Sequence, residues 1–316
     1  MPLFSRCDGD LVTGENAERV ILPFIMRGRN ESLVYLEQQI DVTRLLAYLD
    51  RVNAGLPEKK LSFFHVVLCA AARAMGARPK MNRFVIGRRI YQRKKMEFSF
   101  AIKKEMVDDA AMTIRKLEFF PNDTLDAVVQ RMDDAITHGR STKETTSEKE
   151  MSFFVKLPVF ALRLVTWLFR ALDYFNLAPR AMIEADELYC SVFFANLGSV
   201  GLEAPYHHLY EWGTAPLFGT IGRIFKAPVV NDKDEIEIRS LCSLKWSIDE
   251  RITDGFYCAR SLDLMKDFLA DPTLLEKAPD EKVVPSNGST AAESLAEARP
   301  QPPIVPAGGA PDARRR

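Results

Sequence analysis

The sequence predicts a mixed α/β (α+β) fold, for two reasons. Segments in which apolar and polar residues alternate, as they do in strands, are interspersed with apolar or amphipathic segments long enough for helices. Of the 316 residues, 47% are hydrophobic and 10% are aromatic, so the chain can fill the core of one large domain.

The first half of the chain predicts strands around one long helix. β-Branched and aromatic residues at 31–42 indicate a strand that leads into a helix near Thr43. Residues 61–75 are apolar and rich in alanine over a longer stretch than a typical strand, and therefore predict a core helix. We expect His65 on this helix to be a packed core residue, because no second ligand type accompanies it at helical spacing. Two bursts of alternation within 83–103, separated by a basic cluster, predict two strands and a turn.

The remaining elements set the domain boundaries. They are strands at 113–117, 189–195, 217–225 and 235–248, helices at 124–135 and 259–269, and a polar loop at 137–150. Pro, Ala, Ser, Gly and Glu dominate residues 277–316, which are expected to form a disordered tail. We therefore place the domain at 20–276, after an N-terminal extension at 1–19.

A long apolar segment at 151–175 carries the cations Lys156, Arg163 and Arg170, each seven residues after the last. Because seven residues make about two helical turns, a helix would align the cations in one narrow stripe. Three charges argue against a transmembrane span. Three alternatives stay open: a helix packed on the protein body with its stripe exposed, an interfacial helix that makes a peripheral membrane contact through residues 153–172, and a helix that lines a pocket for an acyl chain.

Composition disfavours several classes of function. The 43 Lys and Arg balance the 43 Asp and Glu, so no global field attracts nucleic acid or an anionic membrane. The five cysteines are scattered without a CxxC pair, which suggests neither a disulfide framework nor a zinc site. The acidic N-terminus lacks the basic start and apolar stretch of a signal peptide. We expect a cytoplasmic protein, one that is membrane-peripheral if the 153–172 contact forms, without a metal and without a nucleic-acid partner. A nucleic-acid site at the basic residues of 88–95 would need a larger basic excess and more stacking aromatics than the chain has; these residues are Arg88, Arg89, Arg93, Lys94 and Lys95.

Residues 249–255, with the sequence DERITDG, stand between a predicted strand and a predicted helix. Taken alone, Asp254 and Gly255 are a turn signal, and the acids around Arg251 are a local ion-pair cluster. The run resembles the His-Arg-x-x-Asp-Gly signature of the acyltransferase components of 2-oxoacid dehydrogenase complexes, which share a fold with chloramphenicol acetyltransferase.

Other stretches resemble the same family in the same order, over residues 20–272. EQQIDVTRLLAYLD is similar to the family's early strand and helix, and SFFHVVLCAAARAMGARPKMNRF to its core helix and the following segment that ends at Asn82. The Asn196-Leu197-Gly198 run is similar to the family's Ser-Asn-Leu-Gly turn.

The resemblance implies a chloramphenicol-acetyltransferase-like two-layer sandwich, with a central mixed β-sheet and helices packed on it. It also implies acyl transfer from or to a pantetheine or lipoyl thiol, in a channel between the subunits of a homotrimer. A histidine would act as general base, and a serine or threonine would donate to the oxyanion. No lipoyl attachment segment precedes residue 20, so we expect a free-standing enzyme that takes a coenzyme A thioester and a small-molecule or lipid-like acceptor.

Two positions depart from the family pattern. Glu250 occupies the histidine position, and Ala195 occupies the hydroxyl position, within an expected acyl or coenzyme A channel that also includes Phe193, Asn196 and Gly198. Loss of an oxyanion donor costs on the order of 3 kcal/mol of transition-state stabilisation. The reference pKa of glutamate lies about two units below that of histidine. A dry channel raises the pKa of a carboxylate, whereas an arginine that points inward lowers it.

A second candidate base lies in the loop at 205–214. His207 and His208 follow the Asn-Leu-Gly turn there, and Glu211 is placed to orient an imidazole. A metal site is not favoured, because Trp212 occupies the expected Asp position and adjacent strand residues point to opposite faces.

The remaining candidates are supporting residues. The resemblance implies that Asp254 is architectural and is held by an arginine from the N-terminal part, for which Arg27 and Arg29 are the candidates. Arg251 lies beside the candidate base. Two functions stay open: an acyltransferase with an altered site, and a catalytically inactive homologue that acts as a binding or scaffold trimer.

Overall fold

Two β-sheets and the helices around them form the part of the chain that a computed structural model describes, residues 5–55, 60–103, 112–140, 157–231 and 233–279. The strands are β1 Gly9–Leu11, β2 Leu33–Asp41, β3 Arg83–Ile86, β4 Arg89–Arg93, β5 Met96–Lys103, β6 Met112–Phe119, β7 Val192–Asn196, β8 Leu217–Val230 and β9 Ile236–Asp249. The helices are α1 Ala17–Ile25, α2 Thr43–Asn53, α3 Phe63–Ala77, α4 Leu125–Arg140, α5 Val159–Tyr174, α6 Arg180–Ala185 and α7 Gly255–Ala270.

The larger sheet has six strands in the order β2-β9-β8-β7-β5-β6. Strand β7 runs parallel to both of its neighbours, β5 and β8, and the other pairs are antiparallel. The smaller sheet is antiparallel, in the order β1-β4-β3. The predicted mixed sheet is confirmed.

Neighbouring residues of β7 face opposite sides of the large sheet, as the two-residue period of a strand requires. Phe194 lies in the main core with residues of α2, α3, α4 and α7. Phe193 lies in a smaller cluster with Phe218 and Leu209, under the loop that follows β7. The helices thus cover one face, and an irregular loop covers the other.

Helix α3 is the central helix of the main core. It begins with a capping box, in which the Ser62 Oγ accepts a hydrogen bond from the His65 N–H and the Ser62 N–H donates to the His65 Nδ1. His65 is buried, as predicted for a core histidine, and it also satisfies a backbone donor at the start of the helix.

The prediction of two strands over 83–103 was wrong in detail. Gly87 and Arg88 both have φ near +57° and form the two-residue turn of a β3–β4 hairpin. Of the three strands in this range, β3 and β4 belong to the small sheet and β5 belongs to the large sheet. The chain passes from one sheet to the other at Lys94 and Lys95. The alternation continued through the turn and hid the hairpin.

The predicted N-terminal boundary at residue 20 also differs from the structure. The described residues up to Ala278 form one compact unit, in which β1 pairs with β4 and the Arg6 side chain is buried against Asp173. The pairing of β1 occupies the free edge of β4, which explains why these residues are ordered with the domain. The predicted disordered tail begins at residue 277, and from residue 280 it lies outside the described residues.

Helix α5 lies within the predicted apolar segment, whose first residues, including Lys156, lie outside the described residues. Arg163 and Arg170 are exposed, as expected for a helix packed on the protein body with its cationic stripe exposed. Most of the apolar face is exposed as well, including Phe160 at 76% and Trp167 at 64%, while Phe169 is buried. Packing on the protein body therefore covers only a small part of this helix.

Candidate functional site

The turn at residues 249–255 joins the end of β9 to the start of α7. Asp249 and Arg251 form a buried ion pair across this turn: the Asp249 Oδ1 accepts from the Arg251 Nε at 2.8 Å, and its Oδ2 accepts from the Nη2 at 2.7 Å. The Ser32 hydroxyl also donates to Asp249, and the Arg251 Nη1 donates to the Met26 and Arg27 carbonyls. The turn is thereby fixed to the segment between α1 and β2.

Glu250 lies between these two anchored residues, and its carboxylate is exposed. Its backbone N–H donates to the Ser32 carbonyl, and its carbonyl accepts from the Arg19 Nη1. Within the described residues, the carboxylate forms no hydrogen bond and no ion pair. The backbone is held on both sides while the side chain stays available to a reactant or a second chain.

The predicted pairing of Asp254 with Arg27 or Arg29 was wrong. Asp254 caps α7 by accepting a hydrogen bond from the Tyr257 N–H at 2.7 Å, and that bond is the main cause that lowers the pKa of the Asp254 carboxyl. Arg29 donates instead to the carbonyls of Tyr210 and Gly213. A carboxylate at the start of a helix meets unpaired N–H groups, and these take the place of the expected arginine.

Glu211 holds a loop rather than an imidazole. Its carboxylate accepts from the backbone N–H groups of Arg29 and Asn30 and from the Asn30 Nδ2. Partial burial tends to raise the pKa of Glu211, but the N–H groups of Asn30 and Arg29 and the charge of Arg29 together lower it. Asn30 also exchanges hydrogen bonds with the backbone of Leu209, so the loop at 205–214 is tied to the segment at 26–32.

The two adjacent histidines belong to an aromatic stack. The His207 ring lies 3.9 Å from the Phe218 ring and 4.5 Å from the His208 ring, and Phe218 stacks on Phe193. The His207 Nδ1 is 2.7 Å from the His208 carbonyl, and the His208 Nδ1 is 3.1 Å from the Leu209 carbonyl. Burial lowers the pKa of His207. Neither histidine has a described carboxylate as its orienting partner.

The Asn-Leu-Gly turn follows β7 directly. A Cβ at Gly198 would lie 2.4 Å from the Gly222 carbonyl oxygen, so only glycine fits this turn. Ala195 supplies no hydroxyl, and two nearby hydroxyls are already bonded to the backbone: Ser199 donates to the Asn196 carbonyl, and Thr220 donates to the Pro205 carbonyl.

The two predicted catalytic positions are far apart within one chain. Ala195 pairs with Thr220 on β8, which pairs with Lys245 on β9, and Glu250 lies five residues farther along β9. With strands about 4.8 Å apart and a rise of about 3.3 Å per residue, Ala195 and Glu250 of one chain are separated by about 19 Å. One copy of the chain does not assemble both positions into one site.

A pocket of about 430 Å³ lies beside this region, and α5 contributes to its lining, as one alternative for the apolar segment at 151–175 allowed. It is bounded by α1, the β3–β4 hairpin, α5 and the loop that contains Trp212. Five arginines line it: Arg27, Arg29, Arg88, Arg170 and Arg251. No local pattern marks the arginines of this pocket as a set, since its residues come from segments spread between positions 23 and 251.

Two further findings concern the described residues only. No group of three or more His, Cys, Asp or Glu side chains there is arranged to hold a metal ion. In the same part of the chain, every helix is too short or too polar to cross a membrane.

The mixed six-stranded sheet, the helices on one face and the turn at 249–255 define a protein of the chloramphenicol acetyltransferase-like class. The structure matches chloramphenicol acetyltransferase with a TM-score of 0.51 and 12% identity, over 83% of this chain and 99% of that chain. A probable dihydrolipoamide acetyltransferase from Listeria monocytogenes matches with a TM-score of 0.55 and 17% identity, over 89% of this chain and 98% of that chain. Both likenesses show the fold, and the predicted fold class is confirmed.

The chain belongs to the family of 2-oxoacid dehydrogenases acyltransferase (catalytic domain), whose model matches residues 26–156 and 191–276. A curated relative, the lipoamide acyltransferase component of the branched-chain alpha-keto acid dehydrogenase complex of Bacillus subtilis, is 24% identical over 235 residues. That match covers 73% of this chain but only 45% of the relative. Residues 157–190, which include α5 and α6, fall between the two segments that the family model matches.

Proposed function

We propose that this protein transfers an acyl group from a coenzyme A-type thioester to a small-molecule or lipid-like acceptor, with Glu250 as general base. The observation that carries the proposal is the state of Glu250: its backbone is anchored at the family's histidine position, and its carboxylate is exposed. A general base must reach the proton that it removes, and within the described residues no contact of this carboxylate has to be broken first.

We further propose that the site is completed by a second copy, in a homotrimer. The separation of about 19 Å between Ala195 and Glu250 leaves each position with only half of the expected channel within one chain. Apolar side chains are exposed near both positions: Phe256 at 73% beside the Glu250 turn, and Leu202 at 55% beside the Asn-Leu-Gly turn. Exposed apolar residues next to an incomplete site favour an interface between copies.

The lipid-like acceptor is supported by α5. Its only acidic residue, Asp173, is buried and paired with Arg6, so its exposed face combines apolar side chains with Arg163 and Arg170. Apolar and cationic residues on one exposed helix are typical of interfacial helices. We propose that this helix makes the peripheral membrane contact and brings the site to its acceptor.

The second candidate function is an inactive homologue that binds an acyl thioester without turning it over. The alanine at position 195 favours it, because two nearby hydroxyls, those of Ser199 and Thr220, are bonded to backbone carbonyls. Without an oxyanion donor, transfer would be slower by about 10²–10³-fold.

Thiol release from a panel of acyl-coenzyme A thioesters separates the two candidates. With acetyl, octanoyl and palmitoyl donors and dihydrolipoamide or long-chain alcohols as acceptors, we expect measurable release by the wild type. Glu250→Ala is expected to lower the rate about 10²-fold or more, while His208→Ala retains it. Because the Glu250 side chain makes no described contact, its removal leaves the fold intact. If no donor releases thiol while the thioester still binds in calorimetry, the proposal of catalysis is wrong and the binding function stands.

A further inference from the structure

The arginine-lined pocket has a strong excess of positive charge. Among the described residues, five arginines and two carboxylates, Asp173 and Glu211, line it, and one of the arginines, Arg251, is paired with Asp249. Both carboxylates are already engaged: Asp173 accepts from the Arg6 Nη1 at 2.6 Å and from the Tyr189 hydroxyl at 2.7 Å, and Glu211 accepts from the Arg29 and Asn30 N–H groups. The pocket therefore retains the capacity to bind an anion.

Arg29 is a buried member of this set, with 5% of its surface exposed. Its Nη atoms donate to the carbonyls of Tyr210 and Gly213, and among the described residues neither an ion-pair partner nor an acceptor for its Nε is present. Burial lowers the pKa of Arg29, the charge of Arg251 lowers it further, and the charges of Asp249 and Glu211 offset this only in part. A buried charge without a contacting counterion is costly, and a bound anion would compensate it.

Arg88 reaches the pocket from an unusual backbone position. It has φ +57° at the second central position of the hairpin turn, where Gly or Asn is favoured. Its guanidinium lies 5.6 Å from the centre of the Phe24 ring on α1, and Gly87 beside it approaches the Tyr174 carbonyl of α5 so closely that a Cβ would lie 2.4 Å from that oxygen. The turn therefore holds Arg88 in an unfavourable backbone conformation, and this conformation places the arginine between α1 and α5.

Exposed apolar residues adjoin the pocket residues along both α1 and α5. On α1, Ile21 is 53% and Phe24 49% exposed, next to the pocket residue Pro23. On α5, Trp167 is 64% and Leu168 49% exposed, next to the pocket residues Phe169 and Arg170. An apolar chain that leaves the pocket would find apolar side chains on both helices.

We propose that the pocket binds the phosphate monoester of an amphiphile, with the phosphate among the arginines and the apolar chain along α1 and α5. A dianionic phosphate matches the excess of positive charge in the pocket, and arginines bind phosphate through paired N–H groups. A volume of about 430 Å³ suits a headgroup rather than a whole lipid. Helix α5 belongs to the segment that the family model leaves unmatched, and the binding of a phosphate in this pocket does not depend on acyl transfer.

Calorimetry with dioctanoyl phosphatidic acid, below the concentration at which it aggregates, tests the proposal. We expect binding by the wild type and about tenfold or greater loss in Arg88→Gly and in Arg170→Gln. Arg44→Gln is the control: Arg44 is an exposed arginine of α2, away from the pocket, and its replacement should change the affinity less than about twofold. Arg88→Gly removes the strained residue, so its thermal midpoint should equal or exceed that of the wild type, which separates lost binding from lost folding.

Three other probes can overturn the proposal. Equal affinity for dioctanoyl phosphatidylcholine would show that charge does not select the ligand. Equal affinity for inorganic phosphate would show that the apolar surface contributes nothing. Tighter binding of adenosine 3′,5′-bisphosphate would assign the pocket to a nucleotide phosphate instead of a lipid. Unchanged affinity in both arginine variants would place the binding elsewhere.

Discussion

Replacing Asp249 with Asn should destabilise the protein strongly, because it removes one partner of a buried ion pair. The side chains of Asp249 and Arg251 are 0% and 3% exposed. Asn keeps an acceptor for the bonds from Ser32 and from the Arg251 Nε, but its NH₂ group would face the Arg251 Nη2, which is also a donor. The Arg251 charge would then stay buried without compensation, at a cost of about 3–5 kcal/mol in the free energy of unfolding.

A matched control is the pair between Asp41 and Arg239. Its N–O distance is 2.7 Å, the same as that between Asp249 Oδ2 and Arg251 Nη2, but its side chains are 34% and 35% exposed. Asp41→Asn should therefore cost less than about 1 kcal/mol. Urea denaturation at one fixed protein concentration measures both variants, since oligomerisation would make stability depend on concentration. Equal losses in the two variants would refute the argument that burial of the turn at 249–255 fixes its geometry.

Two further predictions concern single titratable groups. Burial lowers the pKa of His65 below its ordinary value of 6.5, although Asp133 opposes the shift, so the unfolded chain binds the proton more readily and the wild type should lose stability as the pH falls below about 6.5. His65→Gln keeps an acceptor for the Ser62 N–H without titrating in this range. Between about pH 7.5 and about pH 5.5, the free energy of unfolding, measured by denaturation, should fall more in the wild type than in this variant. Equal falls in the two proteins would contradict the prediction. Asp254→Asn should change the free energy of unfolding by less than about 0.5 kcal/mol while Asp254→Ala costs about 1 kcal/mol, because both Asp and Asn cap helices; a large loss in the Asn variant would indicate an ion pair instead of a cap.

The sequence predicted the large sheet and its central helix well, because their periodicities are regular. The alternation of apolar and polar residues predicted most ends of β8 and β9 to within a few residues, and the alanine-rich stretch predicted α3. The β3–β4 hairpin was missed because its turn holds Arg88 where Gly or Asn would have signalled it. Strand β1 was missed because three residues are too few for a period to show.

The candidate site was predictable in position but not in contacts. Residues 249–255 form the predicted turn between a strand and a helix, and the local ion pair expected around Arg251 forms with Asp249; the sequence did not show that Asp254 caps a helix instead of pairing with an arginine. Glu211 was expected beside an imidazole, whereas the fold brings the segment at 26–32 against it. The contacts of Glu211 with Arg29 and of Arg251 with Met26 join residues about 180 or more positions apart, and periodicity carries no information on them.

The measurement that tests the central claim most directly is subunit complementation. Glu250→Gln and Ala195→Trp would each disable one half of a site shared between copies, and each variant alone should be inactive in thioester turnover. Co-expressed in equal amounts, they should recover about a quarter of the wild-type rate, because random mixing joins an intact Glu250 to an intact Ala195 at about one interface in four. A mixture as inactive as its components, in oligomers shown to contain both variants, would contradict a catalytic site built from Glu250 of one copy and the Asn-Leu-Gly turn of another.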